Sequence, residues 1–285
     1  MKSLTLQSPA KLNLYLKIHN KRKDGFHNLT TLFERIDLKD EIQFESNDSG
    51  KIRISCDHPH VPTGPKNLVH KAVRLIQKDL NITKGVDIVI RKNIPVAAGL
   101  AGGSSNAATA LLGLNKIWKL RLKREKLAEY AAQLGSDVAF FIYGYRWAIG
   151  RGRGEKIEKI DLSAKLWHIL VVPRIKMYSK EVYGRLKLSL TKKTGNVNIL
   201  IHNLKDCNML GVSQIMVNDL ESVVIRLSPK LLKLKERLKS LNAKGVMVSG
   251  SGPSVFGLTE SRSEAESAKK ALLKKYSQVF VVKTL

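Results

Sequence analysis

A chain of 285 residues with 43% hydrophobic side chains is long enough for one large core or two smaller ones, and its composition excludes a disordered chain. No apolar run approaches the roughly 20 residues of a membrane helix, and the two cysteines, Cys56 and Cys207, have no partners at ligand spacing, which argues against a disulfide framework or zinc site and for a reducing cytoplasm. Fifty Lys and Arg against 24 Asp and Glu give +26, which draws anions, but the basic residues are scattered over Lys21–Lys23, Lys119–Lys126, Arg151–Lys159 and Lys230–Lys239 with little aromatic interleaving, a poor match to a dedicated nucleic-acid or membrane binder.

The N-terminal segment has a lysine but no continuous apolar stretch, so it reads as a mature strand rather than a signal peptide. Leu12, Leu14, Leu16 and Ile18 alternate with other residues, as in a half-buried strand. Strand patterns continue over Leu29–Leu38, Glu41–Glu45 and Lys51–Ser55. Leu68, Ala72, Leu75, Ile76 and Leu80 have helical spacing and predict a helix over Asn67–Leu80. An alternating strand, Val86–Arg91, leads into Ile94-Pro95 and a glycine-rich run. Ser104 or Ser105 offers an N-cap for a helix over Ala107–Ile117. A helix over Lys123–Leu134 follows, then a short apolar one opened by Ser136-Asp137 and running through Phe141. Strands are predicted at Tyr145–Ile149 and Glu155–Ile160.

A second pattern begins at Trp167. A strand over His168–Val172 meets Pro173, and helices are predicted near Ser179–Leu188, Ile215–Leu227 and Lys230–Leu241. In the last, Leu231, Leu234 (with Leu232), Leu238 and Leu241 form an apolar stripe, too short for a coiled coil. Strands at Lys244–Val248 and Ser254–Leu258 flank a glycine-rich turn, and a helix over Ser263–Tyr276 precedes a strand at Val279–Lys283. The order implies an α+β chain in two lobes with a boundary near residue 160, residues 1–160 and 161–285.

The glycine-rich run carries the first chemistry. Gly99, Gly102 and Gly103 permit close backbone approach, Ser104 and Ser105 supply hydroxyls, and the following helix offers free N–H groups and a positive dipole end. A polyphosphate suits that combination; a tight structural turn is the other reading. No Gly-Lys-Ser/Thr follows, so it is not a Walker A loop, and the glycine spacing does not fit a dinucleotide fingerprint.

The pattern Pro95-x-x-x-Gly99-Leu100-x-Gly102-Gly103-Ser104-Ser105-x-Ala107 resembles the signature of the GHMP kinases, the family of galactokinase, homoserine kinase, mevalonate kinase and phosphomevalonate kinase. Ser8-Pro9-Ala10-Lys11-Leu12-Asn13 resembles their first motif, and Val248-Ser249-Gly250-Ser251-Gly252-Pro253-Ser254-Val255-Phe256 their third. Three motifs in order are more specific than any one. The resemblance implies the two-lobed GHMP kinase fold, with a ribosomal protein S5 domain 2-like N-terminal lobe and a ferredoxin-like C-terminal lobe. It also implies ATP as phosphoryl donor, Mg²⁺ as companion ion, and no nucleic-acid or membrane partner, with a monomer or homodimer both open. The segments Arg22-Lys23-Asp24-Gly25-Phe26-His27, Leu134-Gly135-Ser136-Asp137-Val138-Ala139-Phe140-Phe141, Gly152-Arg153-Gly154-Glu155 and Asn218-Asp219-Leu220-Glu221 resemble the branch whose acceptor is a cytidine diphosphate-linked methylerythritol, in the non-mevalonate isoprenoid route.

That resemblance implies site residues, each with a plainer alternative. Lys11 and Asp137 match the mechanistic Lys and Asp; alone, they would read as a strand lysine facing solvent and a helix N-cap. A carboxylate can take the proton of a hydroxyl that attacks a γ-phosphoryl group. Phe26 and Tyr183 match the aromatics that sandwich cytosine, His27 the residue that bonds its polar edge, and Asn13 a further acceptor contact. The usual residue at position 26 is Tyr, so Phe26 keeps the stacking face and lacks the hydroxyl. Pro95, Ala97, Ala98, Gly99, Leu100, Ala101, Gly102, Gly103, Ser104 and Ser105 match the ATP loop, and Asn67 and Asn106 the adenine pocket. Gly250-Ser251-Gly252 either closes over the acceptor diphosphate or supports the ATP loop. Metal ligands are not readable. One stretch departs from the family pattern: Tyr145-Arg146-Trp147 stands where small residues are usual. Another acceptor, of the homoserine or mevalonate type, is the second reading, and a basic nucleic-acid-binding protein the third.

Overall fold

The computed structural model describes residues 3–187 and 195–285. Two very long strands lay its foundation, β1 (Ser3–Lys21) and β2 (His27–Asn47), paired antiparallel. The alternation read over residues 12–18 is thus the middle of a longer strand. Register shifts between Pro9 and Lys11, and between Asn13 and Tyr15, interrupt the pairing. Such bulges bend a strand and re-aim side chains. Between them Leu12 and Leu14 point into one core, while Lys11 and Asn13 share the opposite face.

β3 (Ile52–Cys56), β4 (Gly85–Arg91), β5 (Trp147–Gly152) and β6 (Lys156–Lys159) complete this sheet, with the short β8 (Val217–Asn218) added in parallel to β1. One edge of β2 serves β1 along its length. The other divides: Leu29–Glu34 pairs with β5 and Glu41–Asn47 with β4. Four helices cover one face: α1 (Leu68–Asp79), α2 (Gly102–Ile117), α3 (Arg124–Leu134) and α4 (Val138–Tyr143). Asn67 caps α1, its side chain accepting from Val69 N. α2 lies close to the sheet through its small buried residues Ala107, Ala108 and Ala110.

The second sheet runs β11-β7-β10-β9, all antiparallel, from β7 (Trp167–Val171), β9 (Lys244–Val248), β10 (Val255–Thr259) and β11 (Val279–Lys283). Helices α9 (Lys230–Lys239) and α10 (Arg262–Leu273) fall between β7 and β9 and between β10 and β11, which is the ferredoxin-like order. Both faces of this sheet are buried. Leu170, Met247, Phe256 and Val282 join the core shared with β1, while Ile169, Val171, Val248 and Val255 pack against Leu231, Leu234 and Leu238 of α9. Leu232, predicted in that stripe, is exposed, because it lies off the arc that meets the sheet. The two sheets are tied by a buried pair, His168 Nε2 at 2.9 Å from Glu34 Oε1, and by Leu285 N donating to Arg35 O (3.0 Å).

Three predictions need correction. Ser104 and Ser105 do not cap α2. The cap is Ala101, in the left-handed region at φ 55°, with no side-chain cap bond, and the helix starts at Gly102. The serines lie within the first turn, where Ser105 Oγ accepts from Ser8 Oγ (2.8 Å). The helix predicted over Ile215–Leu227 is three elements: α7 (Met209–Ile215), β8, and α8 (Glu221–Leu227). Helical spacing lost here to pairing of Val217 and Asn218 with β1. The helix predicted over Ser179–Leu188 is α5 (Ser179–Gly184), and Leu188 lies outside the described residues. α6 (Val197–Lys205) was not anticipated.

Candidate active site

The first and second motifs meet at Lys11. It is 3% exposed, so the alternative of a solvent-facing lysine fails. A buried ammonium needs partners, and Lys11 Nζ has three. It donates to Asn13 Oδ1 (2.5 Å) and Gly99 O (3.2 Å), and it stands 3.6 Å from Asp137 Oδ2. The 3.6 Å separation is an ion-pair distance rather than a hydrogen bond. Asp137 precedes α4, makes no side-chain cap bond and keeps a third of its side chain open. Asp137 thus holds the N-cap position of α4, but capping does not engage its carboxylate. Asn13 is fixed in turn by donating to Thr31 Oγ1 (2.8 Å), whose hydroxyl donates to Tyr15 O (2.7 Å).

The glycine loop is bent by three left-handed residues, Ala97 (φ 54°), Gly99 (φ 76°) and Ala101 (φ 55°). Two of them are alanines, which pay a steric penalty there. The geometry leaves the first N–H groups of α2 without a side-chain cap, the arrangement that receives anions. Gly99 is required for a second reason. A Cβ there would fall 2.3 Å from Ser249 O. The third motif therefore braces the loop. Ser249 Oγ donates to Gly99 O (3.1 Å), Ser254 Oγ donates to Ala98 O, and a Cβ on Gly250 would stand 3.4 Å from Lys11 Nζ. Of the two roles considered for this motif, support of the loop is the one its contacts describe. Asn218 holds it from behind, donating to Val248 O (2.9 Å) and Gly250 O (2.7 Å). Asp219 accepts from Ile18 N (2.8 Å) and Glu221 from Val248 N (2.9 Å), so these motif residues serve the frame.

Beneath the loop lies a buried network that sequence reasoning missed. Asp40 is fully buried and accepts from Asn93 N and Ile94 N (both 2.8 Å) and from Asn106 Nδ2 (2.8 Å), and it pairs with the ammonium of Lys92. Asn106 also donates to Ser8 Oγ (2.9 Å). The amide of Asn106 is thus engaged in holding the loop rather than turned to a ligand. Asn67, besides capping α1, donates to Pro62 O (2.6 Å). In sequence Asp40 stands beside Lys39 and Glu41 and reads as a surface charge.

The residues predicted to hold a base flank this centre. Phe26 sits on the turn between β1 and β2, half exposed, with the guanidinium of Arg153 4.9 Å above its ring. His27 is buried and its ring lies 5.6 Å from that of Tyr183, tilted by 31°. Burial, then the nearby charge of Lys21, hold the His27 imidazole below its usual value. Burial, then the negative charge of Asp137, push the Tyr183 phenol up. Among the described residues no group of three or more His, Cys, Asp or Glu could cage a metal, and no helix is long and apolar enough to cross a membrane.

Comparisons agree with this frame. The family described as "GHMP kinases N terminal domain" matches residues 67–145, and "GHMP kinases C terminal" matches residues 200–278. A 4-diphosphocytidyl-2-C-methyl-D-erythritol kinase of Clostridioides difficile is 42% identical over 283 residues, covering 99% of this chain and 95% of the relative. The Exiguobacterium sibiricum protein of the same name is 39% identical over 283 residues, covering 99% and 98%. A crystal structure titled 4-(cytidine 5'-diphospho)-2C-methyl-D-erythritol kinase superposes with a TM-score of 0.85 at 31% identity, over 98% of both chains.

Proposed function

Because the chain belongs to the GHMP kinase family, and within it to the 4-diphosphocytidyl-2-C-methyl-D-erythritol kinases, we propose which of its residues perform that reaction. The chain is a kinase that uses ATP to phosphorylate 4-diphosphocytidyl-2-C-methyl-D-erythritol, a step of the non-mevalonate isoprenoid route. We assign transfer to the 2-hydroxyl of the acceptor. The γ-phosphoryl group rests against the open N–H groups of α2 and the loop from Pro95 to Ser105. Asp137 takes the hydroxyl proton as the oxygen meets phosphorus. Lys11 fixes Asp137 and places positive charge where charge gathers on the phosphoryl oxygens. One observation carries the assignment: the Lys11 ammonium touches both the loop, at Gly99 O (3.2 Å), and the carboxylate, at 3.6 Å from Asp137 Oδ2.

Cytosine is held between Phe26 and Tyr183, with His27 and Asn13 supplying polar contacts. A neutral imidazole offers one donor and one acceptor, which suits an amine beside a ring nitrogen. Asn67 and Asn106 shape the nucleotide side, Asn106 from beneath. Mg²⁺ neutralises phosphate charge when bound. One hard oxygen donor near the loop is the Asp137 carboxylate, and a small cation that keeps waters and ATP oxygens as its other ligands would fit a sparse donor set. Residues 1–160 and 161–285 act as the two lobes, each containing one of the two family matches.

A coupled assay of ATP consumption over a panel of alcohols tests the assignment. Turnover is expected with 4-diphosphocytidyl-2-C-methyl-D-erythritol and not with homoserine or mevalonate. Turnover with either of those in place of the cytidylyl substrate would overturn it.

A further inference from the structure

Phe26 is an oddity on physical grounds. It is 50% exposed and belongs to none of the hydrophobic cores. Yet its backbone is held firmly. Arg22 N donates to Phe26 O (2.8 Å), Gly25 N donates to Arg22 O (3.2 Å), and Phe26 N donates to Asp24 Oδ1 (3.1 Å). Arg22 pairs with Asp24 at 3.0 Å. A large apolar ring on a stiff turn, left in water, is a contact surface awaiting a flat partner.

One face of that ring is already covered. Arg153 arrives from the turn between β5 and β6, which pairing of Gly152 with Leu29 sets beside residues 26–29. Its guanidinium carbon is 4.9 Å from the Phe26 ring centre. Both ends of Arg153 are anchored: its backbone N donates to Glu155 Oε2 (2.6 Å) and its Nη2 to Ala132 O on α3 (3.4 Å). We propose that Arg153 is a positioning residue for the acceptor base, its guanidinium covering one face of Phe26 so that the opposite face is fixed and open to a pyrimidine nucleoside diphosphate. The resulting order is guanidinium, phenyl ring, base. The planar fork of arginine suits this better than a lysine ammonium. It also serves in place of a Tyr hydroxyl, which could have tethered the ring by a hydrogen bond and which Phe26 lacks. Slight desolvation raises the Asp24 carboxyl, but the Phe26 N–H, Arg22 and Arg153 outweigh it and hold the group below the usual carboxylate range, so the turn and Arg153 are electrostatically joined.

This inference rests on the reading of Phe26 as a base-stacking residue, and a double-mutant cycle separates the two. Arg153→Met, which keeps the stem, and Arg153→Lys are combined with wild-type Phe26 and with Phe26→Ala. The readouts are KM and kcat for 4-diphosphocytidyl-2-C-methyl-D-erythritol and the inhibition constant of cytidine 5′-diphosphate, with thermal melting to verify folding. Arg153→Met should raise KM and the inhibition constant about two- to five-fold with little change in kcat. Arg153→Lys should recover part of the loss, and in Phe26→Ala neither change should add anything. An effect of Arg153→Met that persists in full without the ring, or that falls on kcat alone, overturns the proposal. Phe26→Ala leaving KM unchanged would instead remove the base-stacking reading and the proposal with it.

Discussion

Replacing Asp40 by Asn removes one charge without changing shape, 66 residues in sequence from the Asn106 that shares its oxygen. The native carboxylate takes four donors, two backbone N–H groups on Oδ1 and Asn106 Nδ2 and the Lys92 ammonium on Oδ2. An Asn can keep Oδ1 for the backbone, but its amide nitrogen then confronts two further donors. Lys92, whose side chain is 4% exposed, retains only Asn106 Oδ1 at 3.4 Å. Breaking a buried pair so that one ion remains costs about 3–5 kcal/mol, a large part of the ~5–15 kcal/mol that holds a domain folded. Lys92→Met should cost less, about 1–3 kcal/mol, because Asp40 would still accept from Asn93 N, Ile94 N and Asn106. The double variant should be more stable than Asp40→Asn alone. Urea unfolding, read as the shift in midpoint at constant slope, measures all three. The KM for ATP should rise in parallel, since Lys92 Nζ lies 3.2 Å from where a Cβ on Gly102 would be. If Asp40→Asn costs under about 1 kcal/mol, or less than Lys92→Met, the network does not bear on the loop as described.

Asp137→Asn should lower kcat by about 10²–10⁴ with at most a modest fall in melting temperature, since Lys11 keeps Asn13 Oδ1 and Gly99 O; near-normal turnover would remove it as the base. His27→Ala should raise KM for the acceptor more than it lowers kcat, and the opposite split would argue against a binding role. Since the native His27 takes its proton below the usual imidazole range and the unfolded chain near ~6.5, its contribution to stability is full above that value and declines as pH falls through it. The acceptor KM should accordingly be flat from neutral pH upward and climb on acidification, a bend absent from His27→Ala. Gly99→Ala should destabilise by about 2 kcal/mol or more, through a positive φ and a Cβ driven into Ser249 O. Gly103→Ala, where the nearest atom to a Cβ is 4.0 Å away, should leave the unfolding midpoint unchanged or raise it. Equal midpoints for the two would contradict the steric account.

Alternation and glycine spacing were enough to find β1, β4, α1 and the glycine-rich loop before α2, because in those elements local pattern and tertiary burial agree. Lys11 could be suspected for the same reason: it breaks the chemistry of a strand while keeping its period. Elsewhere tertiary contacts decided. Residues 215–227 have helical spacing, but Met216 is extended (ψ 129°) and Asn218 accepts from Leu220 N (3.0 Å), so the chain turns aside to pair with β1. Ser104 and Ser105 have the chemistry of a cap, and the loop reached its helix through Ala101 instead, freeing Ser105 for Ser8. Asp40 and Lys92 could not be matched from sequence, because a run of charged residues in a polar stretch gives no hint that one of them faces inward. Arg153 was visible as part of a motif, but its contact with Phe26 depends on β5 pairing with β2.

The brace between Gly99 and Ser249 joins segments 150 positions apart. It bears on how chains of this kind can recombine. The loop's path is legible only against the turn that touches it, so the two are inherited well together and poorly apart. A crossover between relatives anywhere from Gly103 to Ser249 would join a loop and a brace shaped by different histories, and it would also divide cores that draw on both sides of the junction. Hybrids that do fold should fail at the active centre, and compensating substitutions should collect at residues 97–101 and 249–254.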